Sequence, residues 1–247
     1  MTIRLSRCIP LLLVASLLPG CQQQNALANE AKAAPAVATK ASADNPVVIE
    51  LYQSQGCSSC PPANAALNAV ADRPDIIALS FAVTYWDRLG WKDSFADKAY
   101  TQRQYDYAAA FKNSNVYTPQ IVINGARAIT GIKQDELARN IAASKPPAGG
   151  PKIINEGAQV TIGSGTGSAN IWLIRYDPRI NNVAIRSGEN NGRTLPHKNI
   201  VRALTKLGVW NGKAVSLPLP KAGDAQWKSV ILVQKDGAGP IISAKKI

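Results

Sequence analysis

Residues 47–71, VVIELYQSQGCSSCPPANAALNAVA, constrain the fold more than any other stretch. Val47 to Tyr52 is a short apolar run rich in β-branched residues and reads as a buried strand. It leads into Cys57 and Cys60, and from there residues 60–71 carry a helical pattern. Pro61 and Pro62 suit its first turn, where amide hydrogens have no intrahelical partner. The alternation continues. IIALSFAV (76–83) is a second strand, and residues 96–112 form a longer helix with Ala99, Arg103, Tyr107 and Ala110 along one side. QIVIN (120–124) and RAIT (127–130) make a hairpin about NGA, and residues 134–144 close with a helix carrying acids in its first turn. Strands and helices of these lengths, in the order β-α-β, helix, β-β-α, argue for a layered α/β domain over 46–145.

Two thiols three residues apart can exchange electrons, hold a metal or staple a loop, and their spacing alone does not choose. A thiol is a nucleophile only as thiolate, and a helix N-terminus favours that anion through free amides and aligned peptide dipoles. By that logic Cys57, just ahead of the helix, is the more reactive and accessible thiol. Cys60, one turn on, is placed to resolve a mixed disulfide. Ser58 and Ser59 between them supply no cation, so an extreme oxidant is not encoded.

The compartment bears on the choice. Arg4 and Arg7 precede an apolar run, Ile9 to Leu18, too short to span a bilayer but shaped like an export signal. LLPGC then resembles a bacterial lipoprotein signal over 1–20, with Cys21 as the lipid attachment site; ordinary cleavage after ALA is the alternative. Residues 21–45 are polar and Ala-rich and read as a flexible tether with a reach of about 25–30 Å. With Cys8 removed and Cys21 lipidated, Cys57 and Cys60 remain of the 4 cysteines, in an oxidising compartment where a disulfide persists. The expected location is the periplasm, anchored by lipid to a bacterial membrane.

A Pro/Gly break at SKPPAGGP (144–151) separates a C-terminal part, 150–247, rich in strand patterns. AQVTIG, ANIWLIRYD, NNVAIRSG, KSVILVQ and PIISAKK argue for a mostly antiparallel β-sandwich domain, with NIVRALTKLGVW read as a further strand. The formal charge of +12 is concentrated here: 14 Lys+Arg against 5 Asp+Glu from 150 to 247, but 10 against 9 from 46 to 145. Export argues against nucleic acid as the partner of that charge. Anionic lipid, polysaccharide or an acidic protein fits it, as does a simple solvated surface.

A strand, C-x-x-C at a helix start, then Thr118-Pro119 ahead of a hairpin and a last helix resemble the thioredoxin fold over 46–145. More narrowly, SQGCSSCPP, YWDRLGWKD, YTPQIVING and GENNGRTLPHKNIVRAL together resemble a bacterial family of exported thioredoxin-like proteins of unknown function. The resemblance implies an α/β thioredoxin-like domain followed by the β-sandwich domain. It makes Cys57 and Cys60 the catalytic pair and a disulfide when oxidised. It also implies a cis bond at Thr118-Pro119, with Pro119 against the dithiol where it binds a partner's backbone. Glu50 takes the place of a buried acid on the leading strand, although it lies seven residues before Cys57 where the superfamily has six. Buried near Cys60, it would have a raised pKa and accept the resolving thiol's proton. Trp86 and Trp91 either wall a groove over the dithiol or simply pack. His197, the 1 histidine, reads as structural, and its rarity excludes any site needing two.

These observations favour a thiol–disulfide oxidoreductase acting on exported protein thiols or disulfides, with no cofactor and no metal. The alternatives are a binding or adhesion module with a structural disulfide, and a copper-binding thiol pair.

Overall fold

The structure is a computed structural model that describes residues 40–247. The proposed signal, Cys21 and most of the tether lie outside the described residues. The described residues form one compact unit.

Its centre is strand β1 (Val47–Gln53), buried along its whole length. Such a strand needs cover on both faces and a neighbour on both edges. β2 (Ile76–Ala82) runs parallel to it after a crossover through helix α1 (Cys60–Val70), and β3 (Gln120–Ile123) pairs antiparallel on the other edge. β4 (Arg127–Ile129) completes the hairpin with β3. Helix α2 (Lys98–Ala110) starts on Asp97, whose carboxylate accepts the Ala99 amide at 2.7 Å, and α3 (Gln134–Ala143) has Asp135 and Glu136 in its first turn. The buried stripe of α2 is Tyr100, Thr101, Arg103, Gln104, Tyr107 and Ala108. Arg103 and Tyr107 point inward as expected, but Ala99 and Ala110 are exposed, one position off that stripe.

Beyond the Pro/Gly break the strands are β5 (Ile153–Asn155), β6 (Gln159–Ile162), β7 (Ala169–Asp177), β8 (Asn181–Ala184) and β9 (Thr194–His197). They continue with β10 (Ile200–Trp210), β11 (Val215–Pro218), β12 (Lys228–Gln234) and β13 (Ile241–Lys246). The strand reading of residues 200–210 agrees with β10. The separate sandwich does not form. Four of these strands extend the first sheet into one of eight, ordered β13-β12-β7-β10-β2-β1-β3-β4 and mostly antiparallel. The seam is short: β10 pairs parallel with β2 at Ile200 and Ser80, and Asn199 donates its side-chain amide to the Ala78 carbonyl at 2.9 Å.

Alternate residues of the sheet face two layers. Val48, Tyr52, Leu79, Phe81, Ile174, Val201 and Leu232 form one core with Tyr100 and Tyr107 of α2. On the other face, Ile49, Leu51 and Ile121 pack against Leu67 of α1 and Leu137 of α3. Further along that face Ile171, Leu173 and Ile231 meet Val160 and Ile162 of the three-stranded sheet β11-β6-β5. The two-sided burial of β7 explains why it cannot be an edge or one-faced strand. It needs cover from both layers, and each approximately 9-residue strand of this kind removes several large side chains from water at roughly 1.5–3 kcal/mol apiece.

Candidate functional site

Cys57 and Cys60 form a disulfide with Cα atoms 5.4 Å apart, at the start of α1. Both cysteines are 0% exposed, whereas Ser58 and Ser59 between them are exposed. The expected difference in accessibility is therefore absent in the disulfide form. Three segments converge on the loop 54–60.

The first is the loop after β2, with a 3-10 turn at Asp87–Leu89. Trp91 donates its indole N–H to Gln55 Oε1 at 2.9 Å, and Asp93 Oδ2 accepts the Gln55 amide at 2.7 Å. Burial pushes the Asp93 carboxyl up to about 6, against the hydrogen bonds it accepts from Gln55 and Phe95. Trp86 donates to Thr118 Oγ1 at 2.7 Å. Both tryptophans thus make specific hydrogen bonds in addition to packing.

Thr118-Pro119 is the second segment, and its peptide bond is cis. The Ser59 hydroxyl is within reach of two acceptors, Cys57 Sγ at 3.3 Å and the Thr118 carbonyl at 3.5 Å. Ser59 thereby links the Thr118 carbonyl to the Cys57 sulfur. Gln104 of α2 holds the approach to this turn, donating to the Tyr117 carbonyl at 2.8 Å and to Gln120 Oε1 at 3.0 Å.

The third segment lies in GENNG, between β8 and β9. Asn190 is fully buried, and its side-chain amide donates to the carbonyls of Gln55 and Cys57, both at 2.9 Å. Its own carbonyl oxygen accepts from Arg193 Nη1 at 2.7 Å. Glu189, exposed beside it, accepts the Ser58 amide at 3.1 Å. Hydrogen bonding from Ser58, its hydroxyl first and then its amide, holds the Glu189 carboxyl below its ordinary range. Sequence reasoning missed Glu189, Asn190 and Asp93. Their motifs were legible, but nothing in the order of residues says that positions 93 and 190 fold back onto position 55.

Glu50 is buried, but it occupies the wrong face of β1 for the role that the resemblance implied for it. It lies in phase with Val48 and Tyr52, on the α2 side, while α1 packs against Ile49 and Leu51. Six residues before Cys57 is Leu51, and moving one residue along a strand reverses the face. Arg103 donates to both Glu50 oxygens, at 2.7 and 2.9 Å, and Tyr52 and Tyr107 each donate at 2.8 Å. Burial raises both phenols well above their ordinary value, with the Glu50 charge adding to it and the Arg103 charge opposing it. Burial opposes the Arg103 charge, but Glu50 and the neighbouring phenols outweigh it, so the guanidinium stays protonated. The polar pair on the α1 side is instead Gln53 and Asn64, joined at 3.3 Å.

His197 is buried against Phe95, ring centroids 5.8 Å apart, with neither nitrogen hydrogen-bonded. Burial lowers its pKa to about 4. Its apolar setting fits the structural role expected of it. Among the described residues no three His, Cys, Asp or Glu side chains cluster to hold a metal. No described helix is long and apolar enough to cross a membrane.

Fold and site together define a mixed α/β protein in which a covered C-x-x-C disulfide opens a helix and three distant segments hold its loop. Residues 48–234 match the family described as Protein of unknown function (DUF1223), and the chain belongs to that family. A crystal structure of a protein from Agrobacterium tumefaciens is similar at 30% identity and a TM-score of 0.69, over 85% of this chain and 96% of that one. HBP35 of Porphyromonas gingivalis shares the fold at 12% identity and a TM-score of 0.51, over 84% of this chain and 76% of that one. Among curated proteins, none matches.

Proposed function

We propose that the protein is an exported, lipid-anchored thiol–disulfide oxidoreductase with a thioredoxin-like first half, working through Cys57 and Cys60. The observation that supports this reading is the disulfide at the start of α1, with the Ser59 hydroxyl between Cys57 Sγ and the Thr118 carbonyl.

In the reductive direction the Cys57 thiolate attacks one sulfur of a partner disulfide. The partner's S–S bond breaks, a mixed disulfide forms, and the departing sulfur takes up a proton. Cys60 loses its proton and attacks Cys57 sulfur. That closes Cys57–Cys60 and releases the second partner thiol, so two electrons have passed to the partner. The oxidative direction is the reverse. No cofactor enters. Glu50 has no part in the proton transfers, because its carboxylate is engaged on the opposite face.

The test is capture in cells. Cys60→Ala should accumulate mixed disulfides with exported proteins, since the resolving thiol is gone, and Cys57→Ala should capture few. Equal and negligible capture by both variants would overturn the reading.

A structural disulfide in a binding module is the second reading, favoured by the complete cover of both cysteines. Failure of the wild-type disulfide to equilibrate with glutathione, in the native protein, would select it.

A further inference from the structure

A helix normally opens with four amide hydrogens that no intrahelical carbonyl accepts, and these are what stabilise a thiolate at its N-terminus. In α1 the four positions are Ser59, Cys60, Pro61 and Pro62. The two prolines have no N–H, and the Cys60 amide is already given to the Cys57 carbonyl at 3.2 Å. Only the Ser59 amide is left. The residues just ahead are equally committed. Gln55 donates to Asp93, Gly56 to Ser54 Oγ and Cys57 to the Ser54 carbonyl. The Ser58 amide, between the two cysteines, goes to the Glu189 carboxylate at 3.1 Å.

Glu189 therefore acts twice against a thiolate at Cys57. It takes one of the few remaining donors, and it fixes a negative charge one residue away. It is held there by Asn190, whose buried amide binds the carbonyls of Gln55 and Cys57. Other charged groups packed against this loop include Asp93, at its far end on Gln55, Asp87, which accepts the Asp93 amide at 3.1 Å, and Arg193, which binds Asn190 Oδ1 at 2.7 Å and is itself exposed.

We propose that Glu189 is a positioning residue that disfavours the Cys57 thiolate and so holds the Cys57–Cys60 couple toward the disulfide, making the dithiol a reductant of partner disulfides. The consequence for partners rests on the exchange reading above; the effect on the thiol does not.

The test is Glu189→Gln, which keeps an oxygen for the Ser58 amide and removes only the charge. The position is exposed, so the variant should fold, and thermal unfolding of the oxidised protein checks this. Two quantities are measured in the full chain: the pH dependence of Cys57 alkylation after reduction, and the equilibrium of the disulfide with glutathione. Loss of a nearby surface charge should lower the thiol pKa by about half a unit. At a pH above the thiol pKa the glutathione equilibrium should move about threefold toward the dithiol, or about 14 mV, and by less at lower pH, where Cys57 is protonated in both proteins. Both differences should shrink in high salt, which screens an exposed carboxylate but leaves a purely steric role unaffected. A thiol titration that is unchanged, or shifted upward, overturns the proposal whether or not the wild-type disulfide exchanges. A downward shift with a wild-type disulfide inert to glutathione supports the action of Glu189 on the thiol and overturns both its proposed consequence for partners and the exchange reading.

Discussion

Replacing Glu50 by glutamine separates its structural role from the catalytic one that its position in the sequence suggests. The carboxylate is fully buried and accepts four hydrogen bonds, two from Arg103 and one each from Tyr52 and Tyr107. Glutamine keeps one acceptor oxygen and turns the other into a donor facing donors. Each charge-assisted bond contributes roughly 1.5–3 kcal/mol, and Arg103 is left as a buried cation without its partner. The expected loss is therefore about 3–5 kcal/mol. For a chain of this size that is a fall in Tm of about 6–20 °C. Urea unfolding with the disulfide intact measures it. Glu50→Gln with Arg103→Met should recover part of the loss, because the second change removes the stranded charge. The thiol titration of reduced Glu50→Gln should match that of the wild type. A stability loss below about 1 kcal/mol, together with a shifted thiol titration, would refute the ion-pair argument and restore Glu50 as a proton acceptor for Cys60.

Asn190→Ala removes the donor to the Gln55 and Cys57 carbonyls and should cost about 1–3 kcal/mol. Faster hydrogen exchange in residues 54–60 would accompany that loss, and unchanged protection there would contradict the clamp. Two buried groups give stability opposite pH dependences. Asp93, raised by burial from 3.8 to about 6, is bound to its proton more tightly in the native state, so its contribution is full below about pH 4 and lost as pH rises through about 6. His197, lowered by burial from 6.5 to about 4, contributes fully above about pH 6.5 and loses this as pH falls through about 4. Relative to wild type, stability between pH 4 and 6.5 should therefore rise more steeply with pH in Asp93→Asn, and less steeply or not at all in His197→Phe. Parallel profiles for all three proteins would show that neither group titrates as its burial requires. Trp86→Phe deletes the bond to Thr118 Oγ1 and should cost about 1 kcal/mol, read as a lower urea midpoint.

The local elements could be read from the chain because their causes are local. The β-branched run at 47–52, the two prolines after Cys60 and the acids in the first turn of α3 each act within a turn or a strand. The C-terminal strands were equally legible one by one. Their assembly was not, because the same apolar runs satisfy a sandwich or a wider sheet. The seam that decides between them is the bridge of Ile200 to Ser80, fixed by Asn199 across 121 residues.

What the sequence by itself determined is a strand, a C-x-x-C pair and a helix in succession, with Thr118-Pro119 ahead of a hairpin. Tertiary structure alone decided the surroundings of that pair. Strand parity makes a carboxylate on β1 alternate between α1 and α2, and the absolute face depends on which side the crossover helix packs. That sent Glu50 to Arg103 and put Gln53 beside Asn64. Likewise the hydrogen bonds of Gln55 and Ser58 to Asp93 and Glu189 span 38 and 131 residues. A polar group near a thiol acts over a few ångströms, whereas residue order records only distance along the chain, so the chemistry of the pair was set by segments that only folding brings together.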